Sequence, residues 1–223
     1  MPELAKIPAA TAEVVARFDR PYIGLLANDR AAVFEALVTA LLPFTFRLAN
    51  TEIISGGKPA EEKMVFRLPE RGIIFQFGAE EYRFTKDGAA WATAAEDGEV
   101  WNAAETALLT ASGAKIGGYG VTLALHIVPL SKTRDEVIAP FISAPFKQLT
   151  DQQATAFGAH IRFAGGGEVL FDYSLGYANG IFLRLSSQLD GKQSIPEIIA
   201  RIHHEEEQVL KMLDLQDATG ANE

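Results

Sequence analysis

The sequence predicts an α+β protein made of two pseudo-repeated halves, each a strand, a helix, an antiparallel β-meander and a second helix. Three observations carry this. Apolar residues alternate strictly through two sets of short segments, one in each half of the 223 residues, which is the side-chain period of a strand. Between these sets lie stretches with apolar residues at helical spacing. The same order of segments is read twice, over residues 20–112 and again over residues 119–215. The expected organisation is an N-terminal arm (1–19), a first half (20–113), a second half (114–215) packed with the first as one compact unit, and a polar, frayed tail (216–223). Helices are expected to cover the sheet on one face.

In the first half, YIGLLA (22–27) is an apolar run bounded by Pro21 and Asn28 and is expected to be a buried strand. Asn28 or Asp29 can cap the helix that follows, which carries Phe34, Leu37, Val38, Leu41 and Leu42 and is stopped by Pro43. Residues 45–54 read as extended and SGGKPAEE (55–62) as an exposed loop. Three strands then fit by register. A turn at Glu70–Arg71 sets Leu68 against Ile73, Phe66 against Phe75 and Met64 against Phe77. A second at Ala79–Glu80 sets Phe77 against Tyr82 and Phe75 against Phe84. One face is therefore aromatic, and a helix over 97–111 with Val100, Trp101, Ala104 and Leu108 on one side can cover it.

In the second half, VTLALHIV (121–128) is a strand, and Thr133-x-x-Glu136 is a capping box opening a helix kept short by Pro140 and Pro145. The meander is expected over 157–164, 168–176 and 181–189, with three-residue turns at Gly165–Gly167 and Ala178–Gly180. Ser194-x-x-Glu197 then caps a last helix striped with Ile195, Ile198, Ile199, Ile202, Val209 and Leu213.

This element order, strand-helix-meander-helix read twice, resembles the duplicated saddle of the TATA-box-binding protein and the helix-grip folds that hold apolar ligands between a curved sheet and a long helix. It is also similar to uncharacterised bacterial proteins of the same element order. The resemblance implies a fold and carries over no site residues.

Composition narrows the function. Apolar residues make up 48% of the chain and charged residues 22%, the balance of a globular protein with a real core. With no cysteine, disulfides, thiolate catalysis and zinc–thiolate sites are excluded. No apolar leader core and no run long enough to span a bilayer is visible, so no membrane insertion and a cytoplasmic location are expected. The formal charge of −9 and the scattered lysines and arginines point away from nucleic acid, whose binding rests on clustered cations.

The candidate sites are few. The expected registers put His160 opposite Asp172 and Asp172 opposite Ser186, with Arg162 and Arg184 on the same polar face. A hydrolase needs the histidine between acid and nucleophile, and here the aspartate is central, so the five residues read as a ligand- or partner-binding surface. Phe66, Phe75, Phe77, Tyr82 and Trp101 could line an apolar pocket between sheet and helix. His203, His204 and Glu207 share a helix face at metal-site spacing, but lack further ligands. GGYG (117–120) precedes a strand where a phosphate-binding loop must follow one, so it reads as a connector. His126, in an apolar strand, reads as a hydrogen-bonded, half-buried histidine. The function expected is a non-catalytic protein-binding or assembly module, the motifs pointing away from an enzyme. The alternative is an apolar-ligand binder or enzyme using the aromatic pocket. No catalytic residue, cofactor or metal is assigned, no nucleic-acid partner is expected, and a protein partner or self-association is. The self-association expectation rests on an open sheet edge and on Leu210 and Met212, which point away from the last helix's stripe.

Overall fold

The computed structural model describes residues 2–26, 29–56, 61–88, 94–141, 158–162 and 167–218. They form a mixed α+β structure with ten strands: β1 (Glu3–Phe18), β2 (Thr51–Ile54), β3 (Lys63–Leu68), β4 (Ile73–Phe77), β5 (Glu81–Asp87), β6 (Ile116–Pro129), β7 (Ala159–Arg162), β8 (Glu168–Tyr173), β9 (Ile181–Asp190) and β10 (Leu215–Asp217). Four α-helices are described, α1 (Arg30–Leu41), α2 (Ala94–Ser112), α3 (Arg134–Ile138) and α4 (Ile195–Met212). The chain divides into two compact units. One holds residues 12–122 and 188–200; the other holds 1–11, 123–187 and 201–223. Strands β1, β6 and β9 and helix α4 contribute residues to both.

In the first unit the strand order is β2-β3-β4-β5-β1-β6. The registers match those read from the sequence: Leu68 pairs Ile73, Phe66 pairs Phe75 and Met64 pairs Phe77, while Phe75 pairs Phe84 and Phe77 pairs Tyr82. The reason is local, since Pro69–Arg71 forms a tight turn closed by Gly72 at φ +62°, a conformation glycine adopts without a Cβ penalty. Val100, Trp101, Ala104 and Leu108 of α2 are fully buried, and α1 buries Val33, Leu37 and Leu41.

The N-terminal segment corrects an expectation. It is no arm but a sixteen-residue strand with neighbours on both sides. Its buried positions run Ala5, Ile7, then Ala10, Ala12, Val14, Ala16 and Phe18. The change of phase across Pro8–Ala9 is what one extra residue does to a strand, and it is where a proline is tolerated. YIGLLA is correspondingly not a strand: Ile23–Leu26 is a 3-10 turn and Ile23 is exposed. Residues 117–120 are no connector either, because they lie inside β6. A Cβ at Gly118 would stand 3.1 Å from the Leu189 carbonyl oxygen, so close strand approach explains these glycines.

In the second unit the order is β1-β6-β9-β8-β7, with β10 beside β1. β10 runs parallel to β1, Leu4 opposite Gln216, so residues 216 and 217 belong to a strand and not to a frayed tail. The capping box at Thr133 and Glu136 is formed in full. In the α4 cap the Glu197 carboxylate accepts from the Ser194 N–H at 2.7 Å. No helix among the described residues is long and apolar enough to cross a membrane.

Candidate functional site

The polar face expected in the second unit exists, with different neighbours. His160 pairs Leu170 and Arg162 pairs Glu168. Asp172 pairs Phe182, Leu170 pairs Arg184, and Glu168 pairs Ser186. The expected row His160–Asp172–Ser186 is therefore not formed. The expected turn at Gly165–Gly167 lies largely outside the described residues; the β8–β9 connection is longer than three residues, spanning 174–180, and closes through the Ser174 N–H donating to the Gly180 carbonyl at 2.9 Å. The registers slip by two and by four residues. Even slips keep every side chain on its face, so His160, Arg162, Asp172, Arg184 and Ser186 still share one surface. On it, Glu168 Oε2 stands 3.1 Å from His160 Nε2 and 3.7 Å from Arg162 Nε.

Sequence reasoning missed the centre of this surface. Ala124, His126 and Val128 of β6 and Phe182, Arg184 and Ser186 of β9 alternate with buried residues, so they face away from the core. His126 is half-buried and bracketed by Tyr177 and Phe182, with ring centroids 5.4 and 5.1 Å away. Its Nδ1 lies 2.8 Å from Ser174 Oγ, which also accepts the Tyr177 N–H at 3.1 Å. Ser174 is buried, and a Cβ on Gly180 would approach its own Cβ to 2.8 Å, so the turn closes tightly around the hydroxyl. The half-buried, hydrogen-bonded state read for His126 is what the structure shows. Its ring partners lay beyond reach because Tyr177 sits in a loop whose course no strand period dictates.

The same turn is pinned from outside. Asn179, in the left-handed region at φ +57°, accepts the Arg134 N–H at 2.8 Å and donates to the Lys132 carbonyl at 3.1 Å. The Arg134 guanidinium stacks 3.8 Å over the Tyr173 ring, and the Tyr173 hydroxyl donates to Asp135 Oδ1 at 2.9 Å. Burial and the Asp135 carboxylate together raise the Tyr173 pKa, so this phenol stays neutral and holds its bond.

Charge on this face differs from charge on the chain. Lys6, Arg162 and Arg184 are exposed at its alternate positions, against the two carboxylates Glu168 and Asp172. Among the described residues neither Lys6 nor Arg184 has an ion-pair partner. Helix α2, by contrast, carries Glu96, Asp97, Glu99 and Glu105 and no cation. The net charge of −9 is a sum over the whole chain and hides this division.

The aromatic pocket is filled. Phe66, Phe75, Phe77, Tyr82 and Trp101 are fully buried and pack ring on ring, Phe66 to Phe77 at 5.6 Å, Phe75 to Phe77 at 5.8 Å and Phe84 to Trp101 at 4.8 Å. Trp101 Nε1 donates to the Tyr82 hydroxyl at 2.9 Å, which donates to Glu105; Tyr119 donates to the same carboxylate at 3.2 Å. Burial raises the Glu105 pKa, the three donors opposing it. The five residues are core, with a polar staple from sheet to helix.

No group of three or more His, Asp or Glu side chains among the described residues is gathered as for a metal. On α4, His203 Nδ1 lies 4.0 Å from Glu206, and burial, with Asp217 and Glu207 adding to it, pushes the Glu206 carboxyl up to about 7. Leu210 is buried while Met212 is exposed, so only one of the two residues offered for self-association is on the surface.

No protein-family model matches the chain, and comparison with curated proteins gives no match. Among solved structures, the rolling circle replication initiator protein from Geobacillus stearothermophilus aligns over 93% of this chain and 84% of its own, at 14% identity and a TM-score of 0.33. This comparison overturns two expectations. A neighbour named for replication initiation stands against the non-catalytic protein-binding or assembly module with its apolar-pocket alternative, and against the partner assignment that admitted proteins and excluded nucleic acid. Both are withdrawn. At this TM-score the likeness assigns no activity to the chain.

Proposed function

We propose that the chain binds single-stranded nucleic acid on the open sheet face formed by β6, β9, β8 and β7. The observation that carries this reading is the joint presentation of His126, Tyr177 and Phe182 on a sheet face whose alternate positions expose Arg184, Arg162 and, on β1, Lys6. Aromatic rings on a sheet accept stacked bases, and neighbouring cations take the phosphates. The half-buried Leu170 lies beside Arg184 and adds apolar surface for a base. The acid excess of α2 stands on a helix and not on this face. A nucleic-acid ligand also suits the cytoplasmic location expected from the sequence.

The test is fluorescence anisotropy of a labelled oligothymidylate at low salt, with a duplex of the same length as comparison. The single strand is expected to bind more tightly. Phe182→Ala is expected to cost about 1–3 kcal/mol, the usual worth of one stacked base. With three cations engaged, log K should fall against log salt with a slope of about −2. Equal binding by wild type and by Arg184→Ala, or no salt dependence, would overturn the reading.

A further inference from the structure

We propose that Ser174 is a positioning residue that holds His126 in the tautomer protonated on Nε2, so that the ring offers a hydrogen-bond donor to an acceptor atom of the bound ligand. This rests on the reading of the face as a nucleic-acid site and names what one position of it recognises.

The donors and acceptors around Ser174 Oγ decide the tautomer. Ser174 Oγ already accepts the Tyr177 N–H at 3.1 Å, and it lies 2.8 Å from His126 Nδ1. A hydroxyl has one proton to give. If Nδ1 carried the ring proton, Oγ would accept twice and its own O–H, on a buried residue, would face no acceptor among the described contacts. If Nδ1 is bare, the O–H donates to it and every group is satisfied. A neutral imidazole then carries its proton on Nε2. The arrangement is rigid because the Tyr177 N–H and the Ser174–Gly180 bond fix the serine, and Tyr177 and Phe182 flank the ring. Nε2 has no protein partner among the described residues. A lone N–H on this face selects an acceptor, which a phosphate oxygen, a pyrimidine carbonyl or a purine ring nitrogen supplies and an exocyclic amine does not.

Two measurements on the full chain test this. Long-range proton–nitrogen NMR correlation of His126 in the free protein is expected to show the Nε2-protonated form, and Ser174→Ala a mixture of tautomers. In oligothymidylate binding, His126→Phe, which keeps a stacking ring and loses the donor, is expected to bind roughly three- to tenfold more weakly. His126→Gln, whose amide nitrogen reaches the place of Nε2, should recover part of that loss. An Nδ1-protonated ring in the wild type overturns the proposal. So does unchanged binding by His126→Phe when Arg184→Ala loses affinity, a result that leaves the nucleic-acid reading standing. Failure of the wild type to bind at all brings down that reading and the ligand half of this proposal together, with the tautomer still deciding the role of Ser174.

Discussion

Single side chains with displaced proton affinities give the sharpest expectations. Glu206 has its carboxyl pushed up to about 7 by burial first and by Asp217 and Glu207 next. Its folded pKa lies above its unfolded one, so its contribution to stability is whole below the ordinary carboxylate range and is lost as pH rises through about 7. Thermal unfolding should show a Tm that falls between about pH 5 and pH 8, the unfolding free energy dropping by no more than a few kcal/mol at about 1.4 kcal/mol per pKa unit. Glu206→Gln should flatten that fall; a variant with the wild-type slope would assign the pH dependence elsewhere. Tyr82 sits in a comparable balance, taking the Trp101 N–H and giving its own proton to Glu105. Tyr82→Phe leaves the indole N–H unpaired in the core and should cost about 1–3 kcal/mol in a denaturant titration.

At the level of elements, packing and close approach decide what substitutions do. Phe75 is fully buried, stacked on Phe77 at 5.8 Å and tilted against Phe84 at 5.4 Å. Phe75→Ala should cost about 3–5 kcal/mol, and a loss under about 1 kcal/mol in urea unfolding would contradict the register. Gly118 is constrained from outside its own strand, because a Cβ there meets the Leu189 carbonyl oxygen at 3.1 Å. Gly118→Val should lower Tm, whereas Gly176→Ala, with nothing within 4 Å of its added Cβ, should leave it nearly unchanged.

For the whole molecule the governing fact is that charge is unevenly placed. Glu35 on α1 and Glu99 on α2 are exposed on helices of the first unit. Replacing both by glutamine makes the chain less acidic by two charges and is expected to leave oligonucleotide affinity within about twofold at moderate salt, where charges that do not touch the ligand are screened. Arg184→Glu changes the net charge by the same amount and should abolish binding. Effects equal in size and opposite in sign, a gain for the first variant and a loss for the second, would mean that only the total charge matters.

What the sequence determined by itself were the features set by neighbours along the chain. The α+β class, the aromatic β3–β4–β5 register, the α2 stripe and the capping box at Thr133 follow from periodicity and from turns short enough to leave one solution. The shared face of His160, Arg162, Asp172, Arg184 and Ser186 was also legible, since alternation survives an even slip in register. Only the tertiary structure decided the rest. Glu3–Phe18 is rich in alanine and carries a proline, and it is a strand because partners on both sides satisfy its backbone groups. The β8–β9 connection is seven residues long, held by Ser174, Gly180 and Asn179 through bonds no local pattern announces. That loop carries Tyr177 to His126 and sets Ser174 against the ring, so the centre of the candidate site comes from long-range hydrogen bonds and not from any period in the sequence.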